Sequence, residues 1–95
     1  MKERIAIIDG LRSPIAKANG KLNDMSADTL GAIITKELVL RNDIDYKEFD
    51  EVIMGNVAQP SKAMNIARVM AIRAGFPQST PAYTVHRNCA SGMQS

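Results

Sequence analysis

Short apolar runs alternate with longer amphipathic segments along this chain, and that order constrains its fold more than any other feature. Residues 4–8 form a continuous isoleucine-rich run, which is typical of a strand buried on both faces of a parallel sheet. Residues 50–57 form a second compact apolar run that indicates another strand. The stretch 80–88 favours a third strand, because Tyr83 and Thr84 both prefer extended structure.

In the two segments between these runs, apolar residues recur at the spacing of a helix. Ser26 is a suitable N-cap for a first helix over 27–40, whose apolar residues recur at helical intervals. Either Ser61 or Asn65 can cap a second helix, which ends at Gly75. Four apolar residues of this second helix share the same spacing: Ile66, Val69, Met70 and Ile72. The sequence therefore predicts a helix in each connection between strands.

The alternation predicts an α/β fold, a βαβαβ unit with a parallel sheet and right-handed crossovers, followed by the start of a further helix. If the strands lie side by side in sequence order, both helices fall on one face of the sheet. The chain then has nothing left to cover the opposite face. Gly55, at the end of the second apolar run, would weaken that strand or admit another backbone at close range.

The composition allows one small domain at most and argues against two classes of partner. The 95 residues carry a net charge of only +2, their Lys and Arg are scattered, and 4% are aromatic. We therefore expect no nucleic-acid partner. The N-terminal apolar run is too short for a signal peptide or a membrane span, so we expect no membrane association either.

Cysteine usage points to a reducing compartment. Cys89 is the only cysteine, which excludes an internal disulfide and a zinc site of paired cysteines within this sequence. We accordingly expect a cytoplasmic protein with no metal site. Cys89 has to be considered as a free thiol.

Cys89 lies where the third predicted strand runs into the small residues of "CASG". We expect Asn88 to be the N-cap and Cys89 the first helical residue, with a backbone N–H free of any intrahelical acceptor. The positive end of the helix dipole would favour a thiolate, and the free N–H could hold a developing oxyanion. The alternative is a buried structural thiol, which is common for free cysteines.

His86, the only histidine, precedes Cys89 by three residues. Residues three apart on an extended strand point to opposite faces, so His86 is poorly placed to accept the proton of Cys89. We interpret it as a packed or half-exposed strand histidine.

Four stretches in order resemble the N-terminal segment of thiolases: "RSPIAKANGKL", "DEVIMGNVAQ", "NIARVMAIRAGFP" and "VHRNCASGMQS". The resemblance covers the whole chain, and the cysteine stretch is its most specific part. It implies an acyltransferase of the acetyl-CoA acetyltransferase or 3-ketoacyl-CoA thiolase type, which forms or cleaves 3-ketoacyl-CoA. Carried onto this sequence, Cys89 is the nucleophile that forms an acyl thioester, and its backbone N–H is one oxyanion donor.

The same resemblance implies that other catalytic groups come from later motifs. These are an activating histidine, a second cysteine for proton transfer, and an Asn or His that holds a water. We therefore expect residues 1–95 to be an incomplete N-terminal domain, truncated at the start of the cysteine-bearing helix and inactive alone. The segment is expected to hold no cofactor-binding residue, with a coenzyme A thioester as substrate and no cofactor. Many thiolases have Asn where this chain has His86, so no role is assigned to that side chain.

Family resemblance also implies a partner and a metabolic setting. Thiolases pair the strand ahead of the cysteine with its twin, which predicts a dimer through residues 81–88, and they act on acyl-CoA in fatty acid and lipid metabolism. An uncovered sheet face and an edge strand favour the same association on physical grounds. Two alternatives stay open: a truncated non-catalytic module that self-associates, and the front of a ketoacyl synthase.

Overall fold

A computed structural model describes residues 3–95 of the chain. Two longer helices and two short strands alternate, and a third, short helix follows. A single 3-10 turn at Tyr46–Glu48 precedes the first strand. The elements in chain order are α1 (Ala27–Arg41), β1 (Val52–Gly55), α2 (Ile66–Ala74), β2 (Ala82–Val85) and α3 (Ser91–Gln94).

The two strands pair in parallel, with Val52 opposite Ala82 and Gly55 opposite Val85. The α2 helix connects them, so β1, α2 and β2 form one βαβ unit. This confirms the predicted α/β class, the parallel sheet and the second and third strands, which are shorter than their apolar runs.

The first predicted strand is wrong, because residues 4–8 form no strand in this structure. Ile7 is 94% exposed, and its neighbours Ile5 and Ile8 are exposed as well. A cavity of about 430 Å³ is lined by Ala6 and Ile7 together with Val52 and Met54. The segment therefore lies beside β1 without pairing. An isoleucine-rich strand is stabilised when both of its faces are buried. Among the described residues, no further strand pairs with this segment or buries its second face.

Asp9 holds this N-terminal segment to the end of α1. Arg41 donates from Nε and Nη2 to the two Asp9 carboxylate oxygens, both at 2.8 Å, and Asn42 donates from Nδ2 at 2.7 Å. The hydrogen bonds from Arg41 and Asn42 keep the pKa of the Asp9 carboxyl well below its ordinary value of 3.8. The same pair raises the pKa of Arg41. Because these groups are solvent-accessible, the anchor fixes position more than it stabilises the fold.

The two longer helices pack on each other and share one core with β1. A Cβ placed on Gly31 of α1 would overlap the Met70 side chain of α2, so the helices approach closely at this point. Arg73 of α2 forms an ion pair with the buried Asp28 of α1. The shared core consists of Val39, Val52, Ala71, Ala74 and Phe76. Both helices therefore lie on one face of the sheet, as the strand order predicted.

Both ends of α2 are fixed, but the N-terminal end differs from the prediction. Asn65 precedes the helix as expected, yet its side chain makes no capping bond and contacts β2 at Ala82 and Thr84. Thr84 Oγ1 instead accepts the Ala67 N–H at 3.1 Å, and Gln59 Oε1 accepts the Ile66 N–H at 3.0 Å. The first amide groups of α2 are thus satisfied by residues distant in sequence.

Its C-terminal end follows the sequence prediction. Gly75 adopts a left-handed conformation with φ of 108° and donates to the carbonyl oxygens of the last helical turn. Glycine takes this conformation without the steric penalty of a Cβ atom, which explains why α2 ends here.

Side-chain alternation along β1 separates the two faces of the sheet. Val52 and Met54 point to the face that α1 and α2 cover, so the Cβ direction of Gly55 belongs to the other face. A Cβ at Gly55 would overlap the backbone of Ser91, at the start of α3. The expectation that nothing in the chain covers this face is therefore wrong at the carboxyl end of β1, where α3 lies.

Candidate active site

Cys89 is an exposed free thiol on the turn that joins β2 to α3. The α3 helix begins at Ser91 with Ala90 as its N-cap, so Cys89 is not the first helical residue and Asn88 is not the cap. Asn88 instead has a positive φ of 46°. This left-handed residue reverses the chain before the helix can begin, and Asn tolerates the conformation better than most residues. The prediction of a strand-to-helix turn is correct, whereas its register was wrong by two residues.

Four hydrogen bonds close this turn. Ala90 N–H donates to the Arg87 carbonyl at 2.9 Å, and Ser91 N–H donates to the Asn88 carbonyl at 3.2 Å. The Ser91 side chain adds two more, because its Oγ accepts the Arg87 N–H at 2.8 Å and donates to the Asn88 carbonyl at 2.7 Å. Within the described residues, the Cys89 N–H donates no hydrogen bond.

Gly55, at the end of β1, lies against the backbone of the Cys89 turn. A Cβ at this position would overlap the Ser91 carbonyl and lie 2.8 Å from the Gly92 amide nitrogen. Backbone atoms cannot move aside as the end of a flexible side chain can, so only glycine admits the Cys89 turn this close to β1. The sequence analysis anticipated a close backbone approach at Gly55 but did not identify Ser91 as its partner.

Ser91 is the residue of this site that the sequence analysis missed. Its side chain is only 5% exposed, although it is polar and lies two residues after an exposed cysteine. Both hydrogen-bonding functions of its hydroxyl are used within the turn. A small hydroxyl residue directly after "CA" was the available sequence signal, but its partners depend on the reversal at Asn88.

His86 is exposed and lies just beyond the end of β2, so the expected packed or half-exposed strand histidine is wrong. Its imidazole faces the backbone of the turn. Its Nδ1 accepts the Asn88 N–H at 3.1 Å. A nitrogen lone pair engaged in this way is not free to accept the Cys89 proton. Within the described residues, the site thus contains an exposed thiol, a Cys89 amide without a hydrogen-bond partner, and a backbone held by several hydrogen bonds.

An exposed nucleophilic side chain on a strand-to-helix turn of a parallel sheet is the arrangement that α/β enzymes use for covalent catalysis. The class of protein is therefore an α/β chain with an exposed cysteine on a strand-to-helix turn. Residues 5–95 match the family model described as "Thiolase, N-terminal domain". The chain belongs to the thiolase family.

Curated relatives agree with this assignment. Over 93 residues the chain is 42% identical to the 3-ketoacyl-CoA thiolase of Shewanella pealeana, an alignment that covers 98% of this chain and 21% of that protein. It is 37% identical over 92 residues to a probable acetyl-CoA acyltransferase of Staphylococcus epidermidis, covering 97% and 23% respectively. The chain thus spans about a fifth of the length of these relatives.

Solved structures show the same fold. The Bacillus anthracis acetyl-CoA acetyltransferase superimposes with a TM-score of 0.82 at 38% identity, covering 87% of this chain and 21% of that one. Human mitochondrial 3-ketoacyl-CoA thiolase in complex with CoA gives a TM-score of 0.81 at 37% identity, covering 86% and 21%. None of the helices found in residues 3–95 combines the length and the apolar character that crossing a bilayer requires.

Proposed function

We propose that this chain supplies the nucleophile of a thiolase, an acyl-CoA C-acyltransferase that forms or cleaves 3-ketoacyl-CoA through an acyl thioester on Cys89. The observation that carries the proposal is the exposed thiol on a turn whose backbone is fixed by Gly55 and Ser91. Membership of the thiolase family and the activities named for the relatives support the reaction type. We further infer that residues 1–95 are one incomplete N-terminal domain.

In the cleaving direction, the Cys89 thiolate adds to the β-carbonyl of 3-ketoacyl-CoA. A sulfur–carbon bond forms, and the bond between the α- and β-carbons breaks. Its electron pair stays on the α-carbon, which takes up a proton and leaves as acetyl-CoA. The thiol of coenzyme A then displaces the acyl group from Cys89 and restores the thiol. The free Cys89 N–H donates to the oxyanion in both additions.

Proton transfer in this scheme needs groups beyond Cys89. The thiol must lose a proton, and the α-carbon must gain one. His86 Nδ1 is occupied by the Asn88 N–H, and Cys89 cannot serve as nucleophile and acid at the same step. The 95-residue chain alone is therefore expected to give no turnover, although its thiol is exposed.

A coenzyme A release assay tests the proposal on two samples. One is the 95-residue chain, and the other is a longer protein in which these 95 residues are joined to the remaining length of a thiolase. We expect acetyl-CoA-dependent release only from the second sample, with loss of activity in its Cys89→Ala variant. Turnover by the 95-residue chain, or full activity of the Cys89→Ala variant, would contradict the proposal.

The assembly that we propose is a homodimer through residues 81–88. In the described residues β2 pairs only with β1, which leaves its other edge open, and Tyr83 is 42% exposed on the face opposite α2. Sedimentation velocity of the chain and its Tyr83→Lys variant tests this contact, with Ile33→Lys on the exposed side of α1 as control. A dimer that persists in Tyr83→Lys but dissociates in Ile33→Lys would place the interface elsewhere.

The proposal also covers the metabolic role of the protein, its cellular compartment and its substrate. We infer a role in fatty acid and lipid metabolism, because the relatives are named for 3-ketoacyl-CoA and acetyl-CoA. A free exposed cysteine that must remain a thiol favours a reducing compartment such as the cytoplasm. Acyl-CoA is the substrate, and the proposed reaction uses it without a further cofactor.

A further inference from the structure

The turn that carries Cys89 depends on one residue in a conformation that L-amino acids avoid. Asn88 has a φ of 46°, and within residues 3–95 its side chain makes no hydrogen bond that would stabilise this conformation. Its backbone N–H, however, donates to His86 Nδ1 at 3.1 Å. Its carbonyl oxygen accepts from both the N–H and the hydroxyl of Ser91. The peptide groups on both sides of the strained residue are therefore held.

We propose that His86 is a positioning residue: its neutral imidazole accepts the Asn88 N–H through Nδ1 and so holds the turn that presents Cys89. This inference rests on the proposed function of Cys89. His86 acts through the backbone and does not exchange a proton with substrate, so the role differs from that of a catalytic base.

The chemistry of the contact resembles a known turn. Asn and Asp side chains stabilise turns by accepting the backbone N–H two residues further on through a side-chain oxygen. The Nδ1 atom of histidine lies the same number of bonds from Cα as the Oδ1 atom of asparagine, and in a neutral imidazole it carries a free lone pair. His86 accepts the N–H of residue 88, which is two residues further on. Asparagine at position 86 can therefore supply an equivalent acceptor.

The position of Cys89 follows from this contact. Cys89 lies directly after Asn88, so a change in the backbone angles of Asn88 redirects both the thiol and the free Cys89 N–H. Ser91 fixes the turn from the helix side through its bonds to Arg87 and Asn88. His86 fixes it from the strand side. Loss of the His86 contact leaves the thiol exposed but lowers the fraction of molecules in which it is correctly aimed.

Two variants separate the hydrogen bond from the shape of the ring. His86→Phe keeps a planar ring without an acceptor, and His86→Asn restores an acceptor without the ring. The first measurement is made on the 95-residue chain by NMR: amide exchange at Asn88, and in the wild type the coupling across the hydrogen bond between Asn88 N and His86 Nδ1. We expect protection of the Asn88 amide to fall about two- to tenfold in His86→Phe, the range for one net hydrogen bond, and to return in His86→Asn. The thermal unfolding midpoint reports whether each variant stays folded.

The second measurement is the rate of acetyl transfer from acetyl-CoA to Cys89 in a longer protein that contains these 95 residues. We expect it to fall in His86→Phe by a similar factor and to recover in His86→Asn. Unchanged Asn88 exchange in His86→Phe, or no recovery in His86→Asn, would overturn the inference. Normal acetylation of Cys89 in a His86→Phe protein that has lost the Asn88 protection would overturn it too. If wild-type Cys89 is never acetylated, the proposed function is wrong, and the exchange measurements alone decide whether His86 holds the turn.

Discussion

The N-terminal segment and the first strand begin from similar sequences and reach different structures. Both residues 4–8 and β1 derive from short apolar runs, yet Ile7 is almost fully exposed whereas Val52 is buried. The difference is in what each run contacts. β1 pairs with β2 and packs under α1 and α2, whereas the N-terminal segment is held at one point by the ion pair of Asp9 with Arg41. A run of isoleucines shows that a segment can be buried. Whether it is buried depends on the helices and strands that pack against it.

The same comparison locates the site. The Cys89 turn rests on the well-packed part of the molecule, because Gly55 ends β1 and contacts the backbone of Ser91. Nothing in the turn's hydrogen bonds involves the N-terminal segment. Changes in the packed part should therefore disturb the site, and changes in the N-terminal segment should leave it intact.

The sharpest contrast is expected between two identical substitutions. Ile66→Ala removes a side chain that is 2% exposed and packed with Ala63 and Met70, so we expect a loss of about 2–5 kcal/mol in the free energy of unfolding. Ile7→Ala removes a side chain that is 94% exposed, and we expect a change within about 0.5 kcal/mol. Urea unfolding of both variants measures the difference. Equal losses would show that the N-terminal segment is packed after all.

A second matched pair compares two glycines. Gly55→Ala places a Cβ against the backbone of Ser91 and Gly92, and we expect it to cost about 1–3 kcal/mol and to shift the Cys89 turn. Gly10→Ala meets nothing within 4 Å, so its effect should be close to zero. Urea unfolding gives the stabilities, and amide chemical shifts of residues 87–91 report the turn. If Gly55→Ala leaves those shifts and the stability unchanged, the close approach is not a constraint.

Ser91→Ala is expected to have a smaller and more local effect. The variant removes an acceptor for the Arg87 N–H and a donor to the Asn88 carbonyl, for a net loss of about 1 kcal/mol. Faster amide exchange at Arg87 and an altered rate of Cys89 alkylation by iodoacetamide would accompany it. Ser95→Ala is the matched control, because among the described residues the Ser95 hydroxyl bonds only to the carbonyl of Gly92, within α3. Equal effects on alkylation from the two variants would remove the special role of Ser91.

Strong acid should weaken the contact that anchors the N-terminal segment. The fold keeps the pKa of Asp9 below its ordinary value of 3.8, so the contribution of the anchor is fully present above pH 3.8 and is lost progressively as the pH falls from 3.8 through the lowered pKa. In Asp9→Asn the carboxylate contact is absent at neutral pH. NMR order parameters of residues 4–8 should then fall while alkylation of Cys89 stays unchanged. A segment that remains equally ordered in Asp9→Asn would show that another contact holds it.

Local signals in the sequence predicted the elements that depend on local chemistry. Helix α1 begins after Ser26, whose hydroxyl accepts the Thr29 N–H, and α2 ends at Gly75 in the left-handed conformation. Both follow from the residue types at the helix ends. The parallel pairing of β1 and β2 followed from the alternation of strands with helices.

Other features depended on contacts between distant residues and were beyond sequence patterns. Thr84 of β2 caps α2, a contact that exists only once the sheet and the helix have packed. Helix α3 begins at Ser91 and not at Cys89 as predicted. The left-handed conformation of Asn88 and the hydrogen bond from the Ser91 hydroxyl place Cys89 in a turn before the helix. The hydrogen bond between the Asn88 N–H and His86 Nδ1 could not be read from strand alternation, because it forms within the turn that follows β2.

Cys89 as the acyl acceptor is the central claim, and the covalent intermediate tests it most directly. A longer protein that contains these 95 residues is incubated with acetyl-CoA, quenched in acid, digested and analysed by mass spectrometry. We predict one acetyl group, on the peptide that contains Cys89, that hydroxylamine removes as expected for a thioester. Acetylation confined to lysine side chains or to another cysteine, with Cys89 unmodified in an active sample, would contradict the account.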